Sequence, residues 1–261
     1  MKKKFYGFKD WAVHSVNCCT GCSNNCRYCY ARGMAIRFKR TTAEQWPLER
    51  VRQKDVEMRR KLYTGRVMFP SAHDITPGNF EACMTVLNKL TGAGNQVLIV
   101  SKPRFGSIRQ ICQQFRQDRD KIMFRFTIGS PNDAILRFWE PGAPSFAERL
   151  DSLAYAFEAG YQTSVSIEPM LDYEGVIDLI LAVDPLVTNA IWLGKMNHIK
   201  KNLVIDSAEM EAAVRRIESG QTKERIMVLY EVLRDNPKIK WKSCIKRLLG
   251  LPPNEEPGMD I

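Results

Sequence analysis

The stretch Gln96-Val97-Leu98-Ile99-Val100-Ser101 is apolar at four consecutive positions. A strand that is apolar on both faces is typical of a parallel sheet covered by helices, whereas a half-exposed strand alternates apolar and polar residues. Similar short runs alternate with amphipathic segments along most of the chain. We therefore predict an α/β fold of six strand–helix units, arranged either as an incomplete barrel or as a doubly wound sheet. The six strands are predicted at residues 11–17, 66–70, 96–101, 122–129, 162–168 and 190–194.

The segments between these strands have the apolar period of helices. From about Asp206 onward the pattern becomes entirely helical. We predict two parts that pack as one domain: a partial barrel over residues 1–205 and a helical C-terminal extension over residues 206–261. The helices are predicted at residues 43–63, 79–91, 106–116, 145–159, 173–183, 208–219, 223–235 and 240–249.

The composition of the chain is that of an ordinary globular protein, with 44% hydrophobic and 26% charged residues among 261. Lys and Arg number 39 against 29 Asp and Glu, and this excess of +10 favours a polyanionic partner such as nucleic acid. Trp46, Tyr63 and Trp241 lie among the basic runs and are candidates for stacking on bases. No segment is apolar enough to cross a membrane, and Lys9 interrupts the start before a signal peptide develops. We expect a soluble, cytoplasmic protein with no membrane partner.

Five of the eight cysteines fall within twelve residues, Cys18 to Cys29. The spacing Cys22-x3-Cys26-x2-Cys29 places three thiols on one loop, after a predicted strand and before a helix. Structural zinc usually takes two cysteine pairs that are a dozen or more residues apart, so this spacing disfavours zinc. A closed four-cysteine iron–sulfur cluster that includes Cys19 stays open as an alternative, and three ligands would leave one iron free. Cys18 and Cys19 are otherwise explained as packing residues of the first strand, or one of them is a redox-active thiol close to the cluster.

This loop, with Tyr28 before its last cysteine, resembles the cluster loop of radical S-adenosylmethionine (SAM) enzymes. The resemblance implies a [4Fe-4S] cluster on Cys22, Cys26 and Cys29, with SAM chelating the fourth iron. It also implies that SAM is cleaved to a 5′-deoxyadenosyl radical that removes a hydrogen atom from the substrate. The fold that it implies is a partial (β/α)6 barrel, in agreement with the six units found above.

Further segments resemble the branch that contains spore photoproduct lyase, in the same order along the chain. By this resemblance Tyr28 and Tyr30 flank SAM, Lys102 pairs with its carboxylate and Thr127 bonds its ribose. Ser130 is a candidate by position alone. The segments are Cys29-Tyr30, Ser101-Lys102, Phe126-Thr127-Ile128-Gly129-Ser130, Glu140-Pro141-Gly142 and Ala159-Gly160-Tyr161.

The loop after the second predicted strand departs from the family pattern. Many radical SAM enzymes carry Gly-Gly-Glu there to hold the methionyl amine, and here Ser71, His73 and Asp74 are the candidates for that contact. Ser71 also stands where the lyase has a cysteine that donates hydrogen. Since a serine O–H does not readily give up its hydrogen atom, the lyase reaction itself is not expected.

Two acidic positions near the strand ends have both a structural and a functional interpretation. Glu140 and Arg149 form either an ion pair that orders their loop or contacts to the substrate. Glu168 is a candidate cofactor contact, and its structural alternative is an ion pair with a neighbouring lysine such as Lys195.

The sequence thus predicts a radical SAM enzyme that acts on nucleic acid, either by repairing a DNA lesion or by modifying a base. A peptide or small-metabolite substrate and a non-catalytic iron–sulfur electron-transfer module are the alternatives. The resemblance also implies a flavodoxin or a ferredoxin-type protein as the electron donor.

Overall fold

The main sheet of the protein has seven strands, each paired in parallel with the next. A computed structural model describes residues 7–253 of the chain. Within these residues the first and last strands are open edges, so the sheet is a partial barrel, and the α/β prediction is confirmed. In spatial order the strands are β1 (His14–Ser15), β4 (Val67–Phe69), β5 (Val97–Ser101), β6 (Ile122–Thr127), β7 (Gln162–Ile167), β8 (Ile191–Leu193) and β9 (Ile239–Trp241). An antiparallel ribbon of β2 (Cys19–Thr20) and β3 (Arg50–Val51) lies between β1 and β4 in the chain.

Helices connect successive strands of the sheet, as parallel pairing requires. Three short 3-10 helices lie at Gly7–Asp10, Arg116–Lys121 and Asp184–Leu186. The α-helices are α1 (Tyr30–Arg37), α2 (Gln53–Glu57), α3 (Phe80–Gly92), α4 (Phe105–Gln114), α5 (Asp133–Trp139), α6 (Phe146–Glu158), α7 (Val176–Val183), α8 (Ile199–Asn202), α9 (Ala208–Gly220), α10 (Lys223–Leu233) and α11 (Ser243–Leu249).

The two faces of the sheet bury different side chains, because successive residues of a strand point to opposite sides. On β6, Phe124 and Phe126 belong to the main core together with the helices. Met123 belongs to a separate small cluster with Trp11 and Trp192 on the other face. Strands that bury both faces explain why the sequence shows apolar runs without alternation.

Two of the predicted helices are wrong in ways that matter for the site. Residues 43–63 contain Pro47, which cannot continue a helix interior, and fold instead as turns, β3 and the five-residue α2. Residues 240–249 divide into the end of β9 and α11. In both cases pairing with a distant strand wins over local helix propensity. The short helix α5 was not predicted at all.

The predicted C-terminal extension contributes to the sheet itself, because β9 pairs with β8 in the register Trp192↔Lys240. Ile239, Trp241 and Ile245 belong to the main core. None of the helices among the described residues is both long and apolar enough to span a membrane. The basic start of the chain, on which the expectation of no export partly rests, and residues 254–261 lie outside the described residues.

Replacing a core residue of α11 should test whether the extension and the barrel unfold together. Ile245 is fully buried, so Ile245→Ala should lower the free energy of unfolding by about 2–5 kcal/mol, in a single transition. Val228 on α10 is 59% exposed, so Val228→Ala should change it by less than about 0.5 kcal/mol. Urea denaturation followed by circular dichroism measures both. Two separate transitions, with only the smaller one affected, would show that the extension is a separate folding unit.

Candidate active site

The cysteine loop lies between β2 and α1, and the chain around β3 holds it from one side. The Cys22 amide donates to the Trp46 carbonyl over 2.9 Å. Gly21 has a φ of +94°, and a Cβ at this position would lie 2.6 Å from the Leu48 carbonyl oxygen. Only glycine therefore fits at this position. Pro47 and its neighbours thus lie against one side of the cysteine loop. This contact, together with the proline itself, keeps them out of a helix.

The loop before α6 holds the cysteine loop from another side. The Gly142 amide donates to the Asn24 carbonyl over 3.1 Å, and a Cβ at Gly142 would lie 2.1 Å from the Ser23 carbonyl oxygen. Arg104 donates to the Asn24 side chain over 3.0 Å and to the Gly142 carbonyl over 2.6 Å. The glycine of the Glu140-Pro141-Gly142 segment is therefore required for close backbone contact with the cysteine loop.

The Asp74 carboxylate joins three separate segments at the carboxyl edge of the sheet. It accepts hydrogen bonds from the Asn24 side chain at 2.9 Å and from the Lys102 amide at 3.0 and 3.2 Å. It also accepts from the Ser101 hydroxyl and from the amide of Ile75. Both of its oxygens are occupied, so its role in this structure is to fix the cysteine loop to the end of β5.

The three loop thiols lie close enough to influence one another electrostatically. Burial raises the pKa of Cys22 well above its usual range, and Asp74, Cys26 and Cys29 raise it further. Burial raises the pKa of Cys26 to about 12, and the nearby Lys102 ammonium opposes this rise. All three cysteines are free of disulfides. Because these pKa values are raised, the thiols of Cys22 and Cys26 lose their protons only next to a cationic centre that neutralises the thiolates.

The described residues contain no ready site for a single metal ion. Between residues 7 and 253, no three His, Cys, Asp or Glu side chains converge as ligands of one ion would. A four-iron cluster binds each thiolate through a different iron, so its ligands need not converge on one point.

Cys18 and Cys19 lie apart from the three loop thiols in their contacts. The Cys19 thiol points to the carbonyls of Thr20 and Gly21, at 3.6 and 3.9 Å. Cys18 is fully buried, and its sulfur lies 3.8 Å from that of Cys83. These contacts favour the packing interpretation of the pair.

A buried network of charges joins Tyr28, Lys102, Glu140 and Arg149 beside the cysteine loop. Arg149 Nη2 lies 2.6 Å from Glu140 Oε2, with both side chains fully buried. The Tyr28 hydroxyl donates to Glu140 Oε1, and Lys102 Nζ lies 3.8 Å from the same oxygen. Burial raises the pKa of the Glu140 carboxyl, and the charges of Arg149 and Lys102 outweigh it and lower that pKa. Glu140 and Arg149 therefore form the ion pair that was one of the two interpretations of these residues. Glu140 also orients Lys102 and Tyr28.

The polar side chains after β4 are used for internal hydrogen bonds. The Cys18 amide donates to His73 Nε2 over 3.1 Å, and His73 Nδ1 lies 3.0 Å from the Asp74 carbonyl. The imidazole is therefore assigned as the neutral tautomer that carries its proton on Nδ1. The Ser71 hydroxyl accepts from the Asn17 side chain over 2.9 Å. These groups shape the loop, and both ring nitrogens of His73 are already used in it.

The remaining predicted residues lie at the carboxyl ends of β6 and β7 and on α1. The ring of Tyr30 is 55% exposed, while its hydroxyl donates to the Ser71 carbonyl. Thr127 is the last residue of β6, and its partner in the register is Ser166. The Ser130 hydroxyl donates to Asp172 over 3.1 Å and accepts from the amide of Asn132, so it stabilises the turn before α5. Glu168 pairs with Lys242 at 3.3 Å, not with Lys195.

Solved structures of two other proteins share this fold. A single-residue mutant of spore photoproduct lyase matches with a TM-score of 0.54 and 17% identity over 92% of this chain and 79% of that chain. The same mutant with dinucleoside spore photoproduct matches with a TM-score of 0.55 and 16% identity. Streptococcus suis SuiB bound to S-adenosylmethionine matches with a TM-score of 0.54 and 9% identity over 94% of this chain and 54% of that chain. No protein-family model and no curated protein matches the chain.

These matches define the class of fold: the chain shares the parallel partial barrel of spore photoproduct lyase and SuiB. Its cysteine loop resembles the cluster loop of radical SAM enzymes, and the match of fold agrees with the resemblance to the branch of spore photoproduct lyase. The resemblance first seen in short sequence segments therefore extends over 92% of the chain as a resemblance of fold.

Several residues that build the site were not found from the sequence. Glu49 accepts from the Ser23 amide over 2.8 Å, and Asn24 and Arg104 bridge the loops as described above. Lys242 lies outside every motif. A buried partner of this kind leaves no local pattern, because its contacts come from residues far away in the chain.

Removing the charge of Asp74 should destabilise the whole carboxyl edge of the sheet. Asp74→Asn replaces one acceptor oxygen by an NH2 group that faces donors, and we expect a loss of about 2–4 kcal/mol in the free energy of unfolding. Asp178 on α7 is exposed, so Asp178→Asn should have little effect. Urea denaturation measures the stability, and hydrogen exchange at the Lys102 amide reports the local bond. Equal stability of the two variants would contradict the central role of Asp74.

Proposed function

We propose that this chain is a radical SAM enzyme whose [4Fe-4S] cluster is held by Cys22, Cys26 and Cys29. The observation that carries the proposal is the single loop of three free thiols, fixed at the carboxyl edge of a partial barrel, where barrels build their active sites. When bound, the cluster and SAM supply the one-electron chemistry that removes a hydrogen atom from a carbon of the substrate. The resemblance further supports a flavodoxin or ferredoxin-type electron donor and a cytoplasmic location as parts of this proposal.

The residues around the loop have separate roles in the proposed site. Lys102 carries an ammonium on a side chain that is only 13% exposed, and it is suited to pair with the SAM carboxylate. Tyr28 and Tyr30 flank the cofactor, and Thr127 lies where a ribose hydroxyl would be bound. Glu140 holds both Lys102 and Tyr28 in place, so the cation has a fixed position before a ligand arrives.

Single alanine replacements of the loop cysteines should remove the cluster. After anaerobic reconstitution, Cys22→Ala, Cys26→Ala and Cys29→Ala should each lose the visible iron–sulfur absorption, because each removes one of three ligands. Cys19→Ala is the matched control and should keep it, since the Cys19 thiol contacts the carbonyls of Thr20 and Gly21. Loss of absorption in Cys19→Ala equal to that in Cys26→Ala would instead indicate a closed four-cysteine cluster and a non-catalytic module.

We further propose that the substrate is nucleic acid, and a surface next to the cluster loop supports this proposal. We call it the Phe38 surface; it consists of Arg37, Phe38, Lys39, Arg40 and Arg50, all of them exposed. The guanidinium carbons of Arg37 and Arg40 lie 5.9 and 5.5 Å from the centre of the Phe38 ring, which is 54% exposed. An exposed aromatic ring among cations is what stacks on a base while its neighbours contact phosphates.

The aromatic residues that the sequence suggested for this task are not available for it. Trp46 and Trp241 are 2% and 8% exposed and belong to the core, and Tyr63 is half-buried. Lys242, in the basic C-terminal segment of the chain, is buried in ion pairs with Asp10 and Glu168. The interaction surface proposed for nucleic acid is therefore the Phe38 surface and not the C-terminal helices.

The solved relatives illustrate two different substrate classes. One lyase structure contains a dinucleoside spore photoproduct, and one SuiB structure contains the precursor peptide SuiA. We favour nucleic acid for this chain because the Phe38 surface combines a stacking ring with four cations. A peptide or small metabolite is the alternative outcome of the test that follows.

Salt dependence of binding should reveal the contacts of the Phe38 surface. The affinity for single-stranded oligonucleotides should fall with a linear log–log slope, and Arg37→Gln with Arg40→Gln should make that slope shallower by about 0.7 for each phosphate that is no longer neutralised. Phe38→Ala should weaken binding by about 1–3 kcal/mol, the usual effect of removing the stacking partner of one base, without changing the slope. Fluorescence anisotropy at several salt concentrations measures both effects.

The matched control removes two exposed arginines elsewhere, with Arg109→Gln and Arg119→Gln, and should leave the slope unchanged. Equal changes in the two double variants would indicate only a general charge effect. Negligible binding of the unmodified protein at physiological salt would favour the peptide or metabolite substrate, and it would leave the cluster chemistry untouched.

A further inference from the structure

Two thiols and an imidazole meet in the core next to the base of the cysteine loop, by which we mean Cys18 and the ribbon of β2 and β3. Cys18 Sγ lies 3.8 Å from Cys83 Sγ and 3.9 Å from His73 Nε2. Cys18 immediately precedes β2, and Cys83 lies near the start of α3. Both cysteines are fully buried, and His73 is 8% exposed. Neither thiol is among the three assigned to the cluster.

The two sulfur atoms are close enough to be joined by a small movement. Both thiols are free, and their sulfurs are in van der Waals contact. A disulfide bond is about 2.05 Å long, so the sulfurs need to approach each other by less than about 2 Å. The two cysteines are 65 residues apart in the chain. A bond between them would therefore tie the base of the cysteine loop to a distant helix, α3.

Hydrogen bonds orient the imidazole and the second thiol. His73 Nδ1 carries the proton and donates to the Asp74 carbonyl over 3.0 Å, so Nε2 presents its lone pair towards Cys18. The Cys83 thiol donates to Asn79 Oδ1 over 3.2 Å. A histidine that is held through one ring nitrogen and faces a thiol with the other is suited to accept the proton of that thiol. His73 is therefore placed to act as a base for Cys18.

The surroundings of Cys18 favour its thiolate, whereas burial alone disfavours a thiolate. The hydrogen bond from Cys83 holds the pKa of Cys18 well below its usual range, against the opposing effect of burial. His73 and Arg52 lower this pKa further. Burial raises the pKa of Cys112, a thiol of the same core, to about 12. Because the thiolate is the reactive form, oxidation in this core should begin at Cys18 and not at Cys112.

We propose that Cys18 and Cys83 are an oxidation site, at which a small peroxide converts the two thiols to a disulfide bond that fixes the base of the cysteine loop to α3. The oxidant is hydrogen peroxide or a hydroperoxide of similar size, because both thiols are shielded from larger reagents. This site goes beyond the proposed function and does not depend on it, since it uses neither the three loop thiols nor a cofactor.

The oxidation takes place in two steps. Cys18 gives its proton to His73, and its sulfur attacks one oxygen of hydrogen peroxide; the O–O bond breaks, and the leaving hydroxide takes the proton from His73 to form water. The sulfur of Cys83 then attacks the sulfur of the resulting sulfenic acid; the S–O bond breaks, and the hydroxyl group leaves with the Cys83 proton as a second water. Two thiols thus lose two electrons in total, and one peroxide is reduced to two waters.

Hydrogen bonds connect both ends of this disulfide to the chain around the cysteine loop. The Cys18 carbonyl accepts from the Arg52 amide over 2.8 Å, which joins the residue before β2 to the residue after β3. Next to the second thiol, Asn79 Nδ2 donates to Glu49 Oε2 over 3.2 Å. Glu49 in turn accepts from the Ser23 amide of the cysteine loop over 2.8 Å. A covalent bond between the thiols would therefore restrain the ribbon that flanks the loop.

The first experiment treats the whole folded chain with hydrogen peroxide, alkylates the remaining thiols, and identifies cross-linked peptides by mass spectrometry. The peptides of Cys18 and Cys83 should be joined. Cys18→Ala and Cys83→Ala should abolish this cross-link, whereas Cys19→Ala should keep it and thereby assign the sulfur. Cys112→Ala removes another buried thiol of the same core and is the matched control. Glutathione disulfide, an oxidant too large for a buried pair, should form little of the cross-link.

The second experiment measures hydrogen exchange at single backbone amides before and after peroxide treatment. Exchange at the Arg52 amide should slow severalfold in the oxidised protein, because its acceptor, the Cys18 carbonyl, is then tied to α3. The Arg234 amide, which donates to the Tyr230 carbonyl over 2.8 Å on the far side of the chain's order, is the control and should exchange at the same rate. Cys83→Ala treated in the same way should show no slowing at Arg52.

The outcomes decide the two parts of the proposal separately. If peroxide leaves Cys18 and Cys83 as free thiols, or joins them only after the protein has been unfolded in urea, the pair is not an oxidation site. If the cross-link forms and the Arg52 amide exchanges as before, the disulfide does not fix the base of the loop. If either alanine variant fails to fold, the cross-linked peptides of the unmodified protein and of Cys19→Ala still decide the first part.

Discussion

The Asp74 carboxylate is the constraint on which the carboxyl edge of the barrel depends. It accepts hydrogen bonds from the cysteine loop, from its own loop after β4 and from the end of β5. Without it, the Asn24 side chain and the Lys102 amide would lack a common acceptor in a place shielded from water, at a substantial cost in free energy. This one group thereby ties the loop that carries the three thiols to the segment that carries Lys102.

Charge in this protein serves two distinct purposes, although its sequence shows only an excess of +10. Arg149, Lys102 and Lys242 are internal, and each of them faces a carboxylate. Such buried pairs add little net stability, but they hold each charge in one geometry, which a binding site requires. The cations of the Phe38 surface remain in contact with water and are free to meet phosphates. The net charge of the chain therefore overstates its basic surface.

The contrast with the solved relatives is also physical. At 17% identity or less, the shared feature is the parallel partial barrel, whose open edge is lined by loops that differ from protein to protein. In this chain the polar groups of the loop after β4 point inward, while the C-terminal extension supplies a strand and a lysine to the same edge. Because all strand ends meet at this edge, a ligand group that one loop does not bind can be bound by a residue of another.

The sequence by itself determined the parallel sheet, six of its strands and the three-thiol loop, since apolar runs and cysteine spacing are local properties. The start of α6 is also set locally, because the Ser145 hydroxyl accepts from the Glu148 amide over 3.2 Å. Only the tertiary structure decided that residues 43–63 wrap the cysteine loop instead of forming a helix, and that β9 joins the sheet. It alone decided that Lys242, and not Lys195, faces Glu168. These features depend on pairs of residues that are far apart in the chain, such as Asp10 and Lys242, and no local pattern encodes such a pair.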